Sequence, residues 1–382
     1  MFDFTELEAK NIPDVIDMPK GLMEDCDYVF SVTFTDPNAM DIKALAEATS
    51  RIISRDGESL ATYPPPLGHE GLRKFIAEEL FNNRGVSAPV DNIFLASGAG
   101  GAVQIMIDAF VDPGDVVLMD EYCYHGSLNM FLRKKAVPFH VKMDDKGIIP
   151  EELESAINSS TKSGNAPKMI YTIPVYHNPT GITTTFERRK EILDISNKYS
   201  IPIIENESYA DFRIDGPDLP PAMMAIDENE SVMYISAFTK LLGCGLRLGF
   251  GVFPDSAKES MQKVSLGRSP SHLASMAVYE YLKNHKDSYV QGVSQSLGAK
   301  RDSMLRALGE FFPPSCTWTE PNGGMLIWVE LPEHADTWQV LDKAVDKGVK
   351  YNPGSIFRAD RKGRNKLRLT YSHNSPEDIE KG

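Results

Sequence analysis

Between about Gly68 and Thr239, short apolar runs alternate with amphipathic stretches. The apolar runs predict strands at residues 93–96, 116–119, 137–141, 169–173, 201–205 and 232–235, and a further run at 249–252. Most of these runs are continuous rather than alternating, which is typical of strands buried on both faces. The amphipathic stretches have apolar residues three and four positions apart and predict helices at residues 72–81, 102–110, 127–135 and 186–198. This alternation predicts an α/β fold around a mainly parallel sheet.

The pattern changes after about Ser265, where longer helical stretches precede strand-like runs at 325–331 and 366–371. This region predicts a smaller α+β domain at residues 265–382, beside a large domain at 47–264. The segment 1–46 contains several prolines and no clear period, and we expect it to pack with the small domain. The final SPEDIEKG has the acidic start of a helix, so we expect the chain to stop within a last helix.

The amino-acid composition excludes several classes of protein. The 382 residues include 40 basic and 54 acidic side chains, a formal net charge of −14, which argues against a nucleic-acid-binding protein. Hydrophobic residues make up 42%, enough for a large core and too many for a disordered or fibrous chain. At about 100 to 200 residues per domain, the length suggests two domains.

The cysteines and the N-terminal residues indicate the cellular compartment of the protein. Four well-separated cysteines form no CxxC pair and no Cys/His cluster, so we expect neither disulfides nor a metal site. The first residues lack a basic region followed by an apolar core, and no run approaches the roughly 20 apolar residues that span a bilayer. We therefore expect a cytoplasmic protein that does not interact with membranes.

A glycine-rich turn is the first candidate for chemistry. Residues 97–101, Ser-Gly-Ala-Gly-Gly, follow a predicted strand and open a helix, where free backbone N–H groups can bind a phosphate. The simpler interpretation is a tight strand-to-helix turn. A dinucleotide site is a third alternative, with Asp120 as its ribose-binding acid, but it needs a glycine where Val103 stands.

Lys240 and Arg247 are the second candidate pair. Lys240 lies just past an apolar strand, and Arg247 follows seven residues later between two glycine-flanked leucines. Both residues could be solvated loop charges, as most lysines are. Alternatively, a lysine at the carboxyl edge of a sheet can form a Schiff base with an aldehyde cofactor, and a nearby guanidinium can bind its phosphate.

Together these motifs resemble the fold type I pyridoxal-phosphate enzymes, specifically the class I/II aminotransferases of the kynurenine and 2-aminoadipate branch. The resemblance rests on His-Asn-Pro-Thr-Gly at residues 177–181 after MIYTIP, on Lys240 with Arg247, and on Arg368 in LRLTYS. It extends from Tyr63 to Arg368. It implies a three-layer large domain with a smaller α+β domain, pyridoxal phosphate as cofactor, transfer of an amino group from an L-amino acid to a 2-oxo acid, and a homodimer with shared active sites.

The resemblance also implies a role for each matching residue. Lys240 would hold the cofactor as a Schiff base and move the proton at the substrate Cα, and Arg368 would bind the substrate α-carboxylate as a bidentate pair, beside Asn178. The other cofactor contacts would be the backbone of Ala99 and Gly100 with Thr239 and Arg247 at the phosphate, Tyr124 on the ring, Asn178 and Tyr209 at the ring hydroxyl, and Tyr63 at the phosphate of the neighbouring subunit. Singly, these aromatics could equally be half-buried core residues and Arg368 a surface ion-pair residue.

Two positions depart from the family pattern. Asn206 stands where the family has an aspartate that pairs with the protonated pyridine nitrogen, and a neutral amide makes a weaker bond than a carboxylate. Three interpretations are open: a slow transaminase, an enzyme that catalyses elimination, cyclisation or oxidation, or an enzyme in which Glu207 pairs with the pyridine nitrogen in place of the aspartate. Ala237 replaces a phosphate-binding serine, and Ser236 or Thr239 could compensate.

A regulatory protein that binds the cofactor without turnover is the alternative from another class. The sequence shows no recognisable DNA-binding appendage, and its acidic balance argues against this alternative.

Overall fold

The computed structural model of the protein describes residues 18–382. Its strands are β1 (Tyr28–Val29), β2 (Ile93–Ala96), β3 (Val116–Asp120), β4 (Val137–Val141), β5 (Met143–Asp144), β6 (Gly147–Ile148), β7 (Pro167–Thr172), β8 (Ile203–Asn206), β9 (Val232–Ala237), β10 (Gly249–Val252), β11 (Thr317–Trp318), β12 (Leu326–Glu330), β13 (Val349–Lys350), β14 (Asn352–Pro353) and β15 (Lys366–Thr370). Its α-helices are α1 (Ile42–Asp56), α2 (Glu70–Arg84), α3 (Gly98–Phe110), α4 (His125–Arg133), α5 (Pro150–Lys162), α6 (Phe186–Tyr199), α7 (Met223–Ile226), α8 (Thr239–Leu242), α9 (Lys258–Ser265), α10 (His272–Phe311), α11 (Leu341–Val345) and α12 (Pro376–Lys381).

A seven-stranded sheet organises the larger part of the molecule, with the strand order β2–β10–β9–β8–β7–β3–β4. Strand β10 is antiparallel to its neighbours β2 and β9, and the other neighbouring strands are parallel. The predicted α/β fold with a mainly parallel sheet is therefore confirmed. Each predicted strand of this sheet is present, with ends that differ by at most two residues.

Helix α3 begins at Gly98, four residues before the predicted start. Its first turn contains three glycines, which carry no apolar period, so the hydrophobic pattern could not reveal it. The consequence matters for function, because the glycine-rich turn is itself the helix N-terminus.

Helices cover both faces of the large sheet. On one face, residues of α3 and α4 such as Met106 and Phe131 join the sheet in one apolar cluster. On the other face, α5 and α6 contribute residues such as Leu153 and Ile192 to a second cluster. A third cluster links α2 and α10 with the small sheet through residues such as Leu72. The burial of both faces explains why the central strands are continuous apolar runs.

The C-terminal part has its own antiparallel sheet, with the order β11–β12–β15–β14. The N-terminal segment packs against this part, because β1 pairs in parallel with β13 and the N–H of Thr370 donates to the carbonyl of Phe30 at 2.9 Å. Residues 1–17 of that segment lie outside the described residues. The division of the chain at residues 46 and 264 remains a prediction.

The 40-residue helix α10 is about 60 Å long and runs along both parts of the molecule. Its first half packs against α2, where the ring of Tyr279 lies 5.5 Å from that of His69. Its second half contacts α12, where the Ser303 hydroxyl donates to the carbonyl of Pro376 at 2.9 Å. Across residues 18–382, no helix combines the length and the apolar character needed to span a membrane.

A buried ion network lies against the end of β8. The carboxylate of Glu207 accepts from Arg84 at 2.7 and 2.8 Å and from Arg189 at 3.0 Å, and Arg189 also lies 3.4 Å from Glu205. Burial opposes ionisation of Glu207, but the two guanidinium groups outweigh it and lower its pKa. These charges are stable only together, because removing one partner leaves another charge buried and unpaired.

We expect Arg189→Met to lower the free energy of unfolding by about 3 to 5 kcal/mol, because it leaves the Glu205 and Glu207 carboxylates with one cation fewer in the interior. Lys190→Met, at the exposed neighbouring position, should change it by about 0.5 kcal/mol or less. Urea unfolding of both variants measures the difference. Equal, small losses would contradict the structural importance of the network.

Candidate active site

The candidate residues meet at one edge of the large sheet. Asn178 follows β7, Asn206 ends β8, and Lys240 follows β9, and these three strands are adjacent and parallel. The carboxyl ends of parallel strands share one edge, which is where open α/β sheets bind ligands. Arg368 comes from β15 of the small sheet and contacts Asn178 directly. The site therefore lies where the two sheets approach each other.

Lys240 is partly buried, and its environment shifts the amine towards its neutral form. The ammonium Nζ donates to the carbonyl of Thr33 at 3.0 Å and lies 4.0 Å from the thiol of Cys244. Burial is the main cause that lowers the pKa of Lys240, and Arg368 and Arg247 lower it further. A lowered pKa raises the fraction of free amine, the form that acts as nucleophile or base.

Arg368 is a buried cation with spare hydrogen-bonding capacity. The residue is 2% exposed, and its Nη1 donates to Oδ1 of Asn178 at 2.9 Å while Nη2 donates to the carbonyl of Ser31. Its Nε has no partner within the described residues. Burial lowers the pKa of Arg368 to about 10, so the group is still charged at neutral pH. A fixed guanidinium with a free N–H suits a carboxylate ligand.

Asn178 connects Arg368 with Tyr209. Because the guanidinium can only donate, the amide presents Oδ1 to Arg368 and Nδ2 to the hydroxyl of Tyr209, at 3.2 Å. The loop that carries Asn178 is held by Asp120, whose carboxylate accepts from the Thr172 hydroxyl at 2.8 Å and lies 3.2 Å from Nε2 of His177. The sequence pattern suggests Asp120 only as a ribose-binding acid and gives no signal for this supporting position.

A cradle for an anionic group is formed at the N-terminus of α3. The first N–H groups of a helix, here those of Gly98, Ala99 and Gly100, have no partner within the helix and carry the positive end of its dipole. A Cβ at Gly98 would lie 3.2 Å from the hydroxyl oxygen of Thr239 and 3.8 Å from the guanidinium carbon of Arg247. The predicted phosphate-binding residues therefore converge on this helix end.

Close backbone packing holds the cradle in place. A Cβ at Gly249 would lie 2.6 Å from the carbonyl carbon of Gly98 and 2.8 Å from the N of Ala99, so β10 passes the helix start with no room for a side chain. The Ser236 hydroxyl is engaged elsewhere, since it donates to the carbonyl of Glu207 at 3.2 Å. Of the two residues that could compensate for Ala237, Thr239 is the one beside the cradle.

Tyr124 lies at the start of α4 with 37% of its surface exposed. It is close enough to Lys240 and Arg368 to affect the pKa of both. A Cβ at Gly126 would lie 2.6 Å from the Tyr124 ring, so this glycine provides the space that the ring occupies. The one sequence signal for this role of Gly126 is its position directly after Tyr124 and His125.

Asn206 is 5% exposed and fully engaged on its oxygen side. Oδ1 accepts from the Ser208 N–H at 3.2 Å and from the Ser208 hydroxyl at 2.6 Å, and Nδ2 donates to the Tyr171 hydroxyl at 2.9 Å. The carboxylate of Glu207 is occupied by Arg84 and is fully buried. For Glu207 to take over from the missing aspartate it would have to leave Arg84, and this alternative stays a prediction.

Tyr63 is the one predicted site residue that the single chain does not bring to the site. Its side chain is 100% exposed. Conversely, the main-chain carbonyls of Ser31 and Thr33 contact Arg368 and Lys240, and sequence reasoning did not find them because a backbone carbonyl leaves no residue signature.

Comparisons with known proteins agree on one family. A family model described as aminotransferase class I and II matches residues 33–382. An aromatic-amino-acid aminotransferase from Thermococcus litoralis is 30% identical over 349 residues, which cover 91% of this chain and 84% of that protein. The solved structure of a Pyrococcus horikoshii kynurenine aminotransferase in complex with PMP is 27% identical, has a TM-score of 0.89, and covers 95% of this chain and 90% of its own.

A regulator is also among the similar proteins. The uncharacterised HTH-type transcriptional regulator YdfD of Bacillus subtilis is 32% identical over 324 residues, which cover 84% of this chain and 65% of the regulator. More than a third of that protein therefore lies outside the similarity.

We expect Gly249→Ala to weaken binding of pyridoxal phosphate, the cofactor that the motifs imply, by about tenfold or more, equivalent to about 1.4 kcal/mol. The added methyl group collides with the backbone of Gly98 and displaces the N–H groups of the cradle. Gly245→Ala is the matched control, because a Cβ there meets nothing within 4 Å. Titration of the apoprotein, followed by absorbance, gives the dissociation constants. Equal affinities for the two variants would show that the cradle does not hold the cofactor.

Proposed function

The chain belongs to the class I and II aminotransferases, and from that membership we propose which of its residues act and which substrates it takes. It is a pyridoxal-phosphate-dependent enzyme that transfers an amino group from an L-amino acid to a 2-oxo acid. The family, cofactor and reaction predicted from the motifs are thereby confirmed. The residue roles, the substrate class and the assembly below are proposals.

We propose that the cofactor is held between Lys240 and the N-terminus of α3. Lys240 supplies the amine to which the cofactor is attached, and the N–H groups of Ala99 and Gly100, with Thr239 and Arg247, bind its phosphate. The cradle that a Cβ at Gly98 would fill supports this placement. Tyr124 packs on the ring, and Asn178 and Tyr209 bind its hydroxyl. When bound, pyridoxal phosphate supplies an aldehyde carbon that carries the amino group and a ring that withdraws electrons.

The observation that carries the proposal is the juxtaposition of Arg368 with Lys240 in one buried site. The guanidinium of Arg368 is fixed by Asn178 and by the carbonyl of Ser31, and its Nε has no partner among residues 18–382. It binds the α-carboxylate of the amino acid and thereby orients the Cα–H bond relative to Lys240. Lys240 then accepts the proton from Cα and later returns one, a task that its lowered pKa supports.

The amino donor that we propose is an aromatic or other large apolar L-amino acid. Val32 and Phe34 flank Thr33, which contacts Lys240, and Phe34 is 42% exposed with an edge-on contact to the ring of His373. Apolar surface beside the site favours such side chains over dicarboxylic ones. The aromatic-amino-acid aminotransferase that is 30% identical supports the same class.

The test compares amino donors with and without an α-carboxylate, the group that we propose Arg368 binds. We expect L-phenylalanine to give a 2-oxo acid faster than L-aspartate or L-2-aminoadipate. Arg368→Gln should lower kcat/KM for L-phenylalanine roughly 10- to 150-fold, the loss of a charged hydrogen bond, and leave the slow reaction of phenethylamine, which has no carboxylate, unchanged.

Arg364→Gln, at a position where the side chain is 60% exposed, is the matched control and should behave as the wild type. An equal loss of kcat/KM with both donors would show that Arg368 does not bind the carboxylate. Release of ammonia in place of amino transfer would favour elimination or oxidation, the alternative reactions that Asn206 suggested.

We further propose that the working unit is a cytoplasmic homodimer in which Tyr63 serves the partner's cofactor. The complete exposure of Tyr63, three residues after the exposed Leu60, supports a role outside its own chain. The four cysteines are unpaired, which is typical of proteins from a reducing compartment.

A hybrid dimer tests this assembly. Tyr63→Ala and Lys240→Ala chains, co-expressed with two different affinity tags, should form hybrids with one intact site and one doubly defective site. We expect the purified hybrid to have about half of the wild-type activity. By themselves, the Lys240→Ala dimer should be inactive and the Tyr63→Ala dimer should have only weak activity. Phe81→Ala, at another exposed aromatic, should be fully active by itself. A hybrid no more active than the two parents would place Tyr63 in its own chain's site or outside both.

A further inference from the structure

We propose that Asn206 donates a hydrogen bond to the pyridine nitrogen of the cofactor and keeps that nitrogen unprotonated. The family pattern has an acidic side chain at this position, which does the opposite. The inference rests on the proposed attachment of the cofactor at Lys240, and it deepens that proposal by assigning the charge of the ring.

The orientation of the Asn206 amide is fixed by a backbone group. The N–H of Ser208 can only donate, so the atom that it contacts at 3.2 Å must be the amide oxygen. The Ser208 hydroxyl contacts the same oxygen at 2.6 Å. Because an amide oxygen has two lone pairs, Oδ1 has no remaining site for a proton carried by the ring.

The nitrogen of the same amide has one hydrogen to spare. Nδ2 has two N–H groups, and one of them donates to the hydroxyl of Tyr171 at 2.9 Å. Tyr171 is itself held by Ser127, with 2.8 Å between the two hydroxyl oxygens. Among the residues that the structure describes, the amide therefore presents a single unused donor, which matches the lone pair of an unprotonated pyridine nitrogen and not an N–H.

The acidic groups Glu207 and Asp120 are already engaged with other partners. Glu207 is bound to Arg84 at 2.7 and 2.8 Å. Asp120 accepts from the Thr172 hydroxyl at 2.8 Å and from the Ile173 N–H at 2.9 Å. Burial raises the pKa of the Tyr171 hydroxyl, so that group stays protonated as well.

A neutral ring withdraws fewer electrons than a pyridinium. In this enzyme the loss of the Cα proton then depends more on the placement of Lys240 and Arg368 and less on the ring. Asn206 is thus a cofactor-contacting residue, and Ser208 and Tyr171 are positioning residues that fix its amide.

Nitrogen NMR of the holoenzyme tests the inference directly, with cofactor isotopically labelled at the ring nitrogen. Protonated and unprotonated pyridine nitrogens give well-separated signals. At neutral pH we expect the wild-type signal at the unprotonated position. Asn206→Asp should move it to the pyridinium position, because a carboxylate supplies the missing acceptor. Tyr171→Phe, which leaves both contacts to Oδ1 in place, should keep the wild-type position.

The outcomes separate this inference from the proposed function. A pyridinium signal in the wild type would overturn the inference while leaving the cofactor site intact, and this measurement needs no variant to fold. An Asn206→Asp signal that stays at the unprotonated position would also overturn it, because Asn206 would then not set the charge of the ring. No bound signal in the wild type would overturn the proposed cofactor site and this inference with it.

Discussion

The ion network of Arg84, Arg189, Glu205 and Glu207 is the interaction on which the site depends. Glu207 directly follows Asn206, so the bonds that hold its carboxylate also fix where β8 ends. Arg189 additionally donates to the carbonyl of Pro174, four residues before Asn178 along the chain. One buried cluster therefore sets the relative position of two adjacent strand ends. Burying charges is costly, and here it fixes the geometry at the sheet edge.

The site itself brings two positively charged side chains together at the sheet edge. Arg368 is buried and Lys240 is partly buried, and burial lowers the pKa of each. The guanidinium stays charged at neutral pH because its ordinary pKa is so high, whereas the amine is brought closer to neutrality. The same burial thus produces a fixed cation and a reactive amine, the two groups that an enzyme acting on an α-amino acid needs side by side.

Much of this arrangement could be predicted from the sequence. Continuous apolar runs predicted the strands, and the ordered motifs identified Asn178, Lys240 and Arg368 as candidate site residues. Both signals depend only on which residue type stands at each position. The apolar period placed the start of α3 at residue 102, because glycines carry no period, and only the glycine-rich turn pointed to the earlier start. The direction of the Asn206 amide could not be predicted either, since it depends on a backbone N–H two residues away.

The contacts of Thr33 and Ser31 with Lys240 and Arg368 have a genetic consequence. Both are made by main-chain carbonyls, which every amino acid possesses. Substitutions at either position cannot delete the acceptor, so an alanine scan through this segment would leave both contacts in place. A single-residue deletion would shift both carbonyls at once. We therefore expect this segment to tolerate substitutions but not a change in its length.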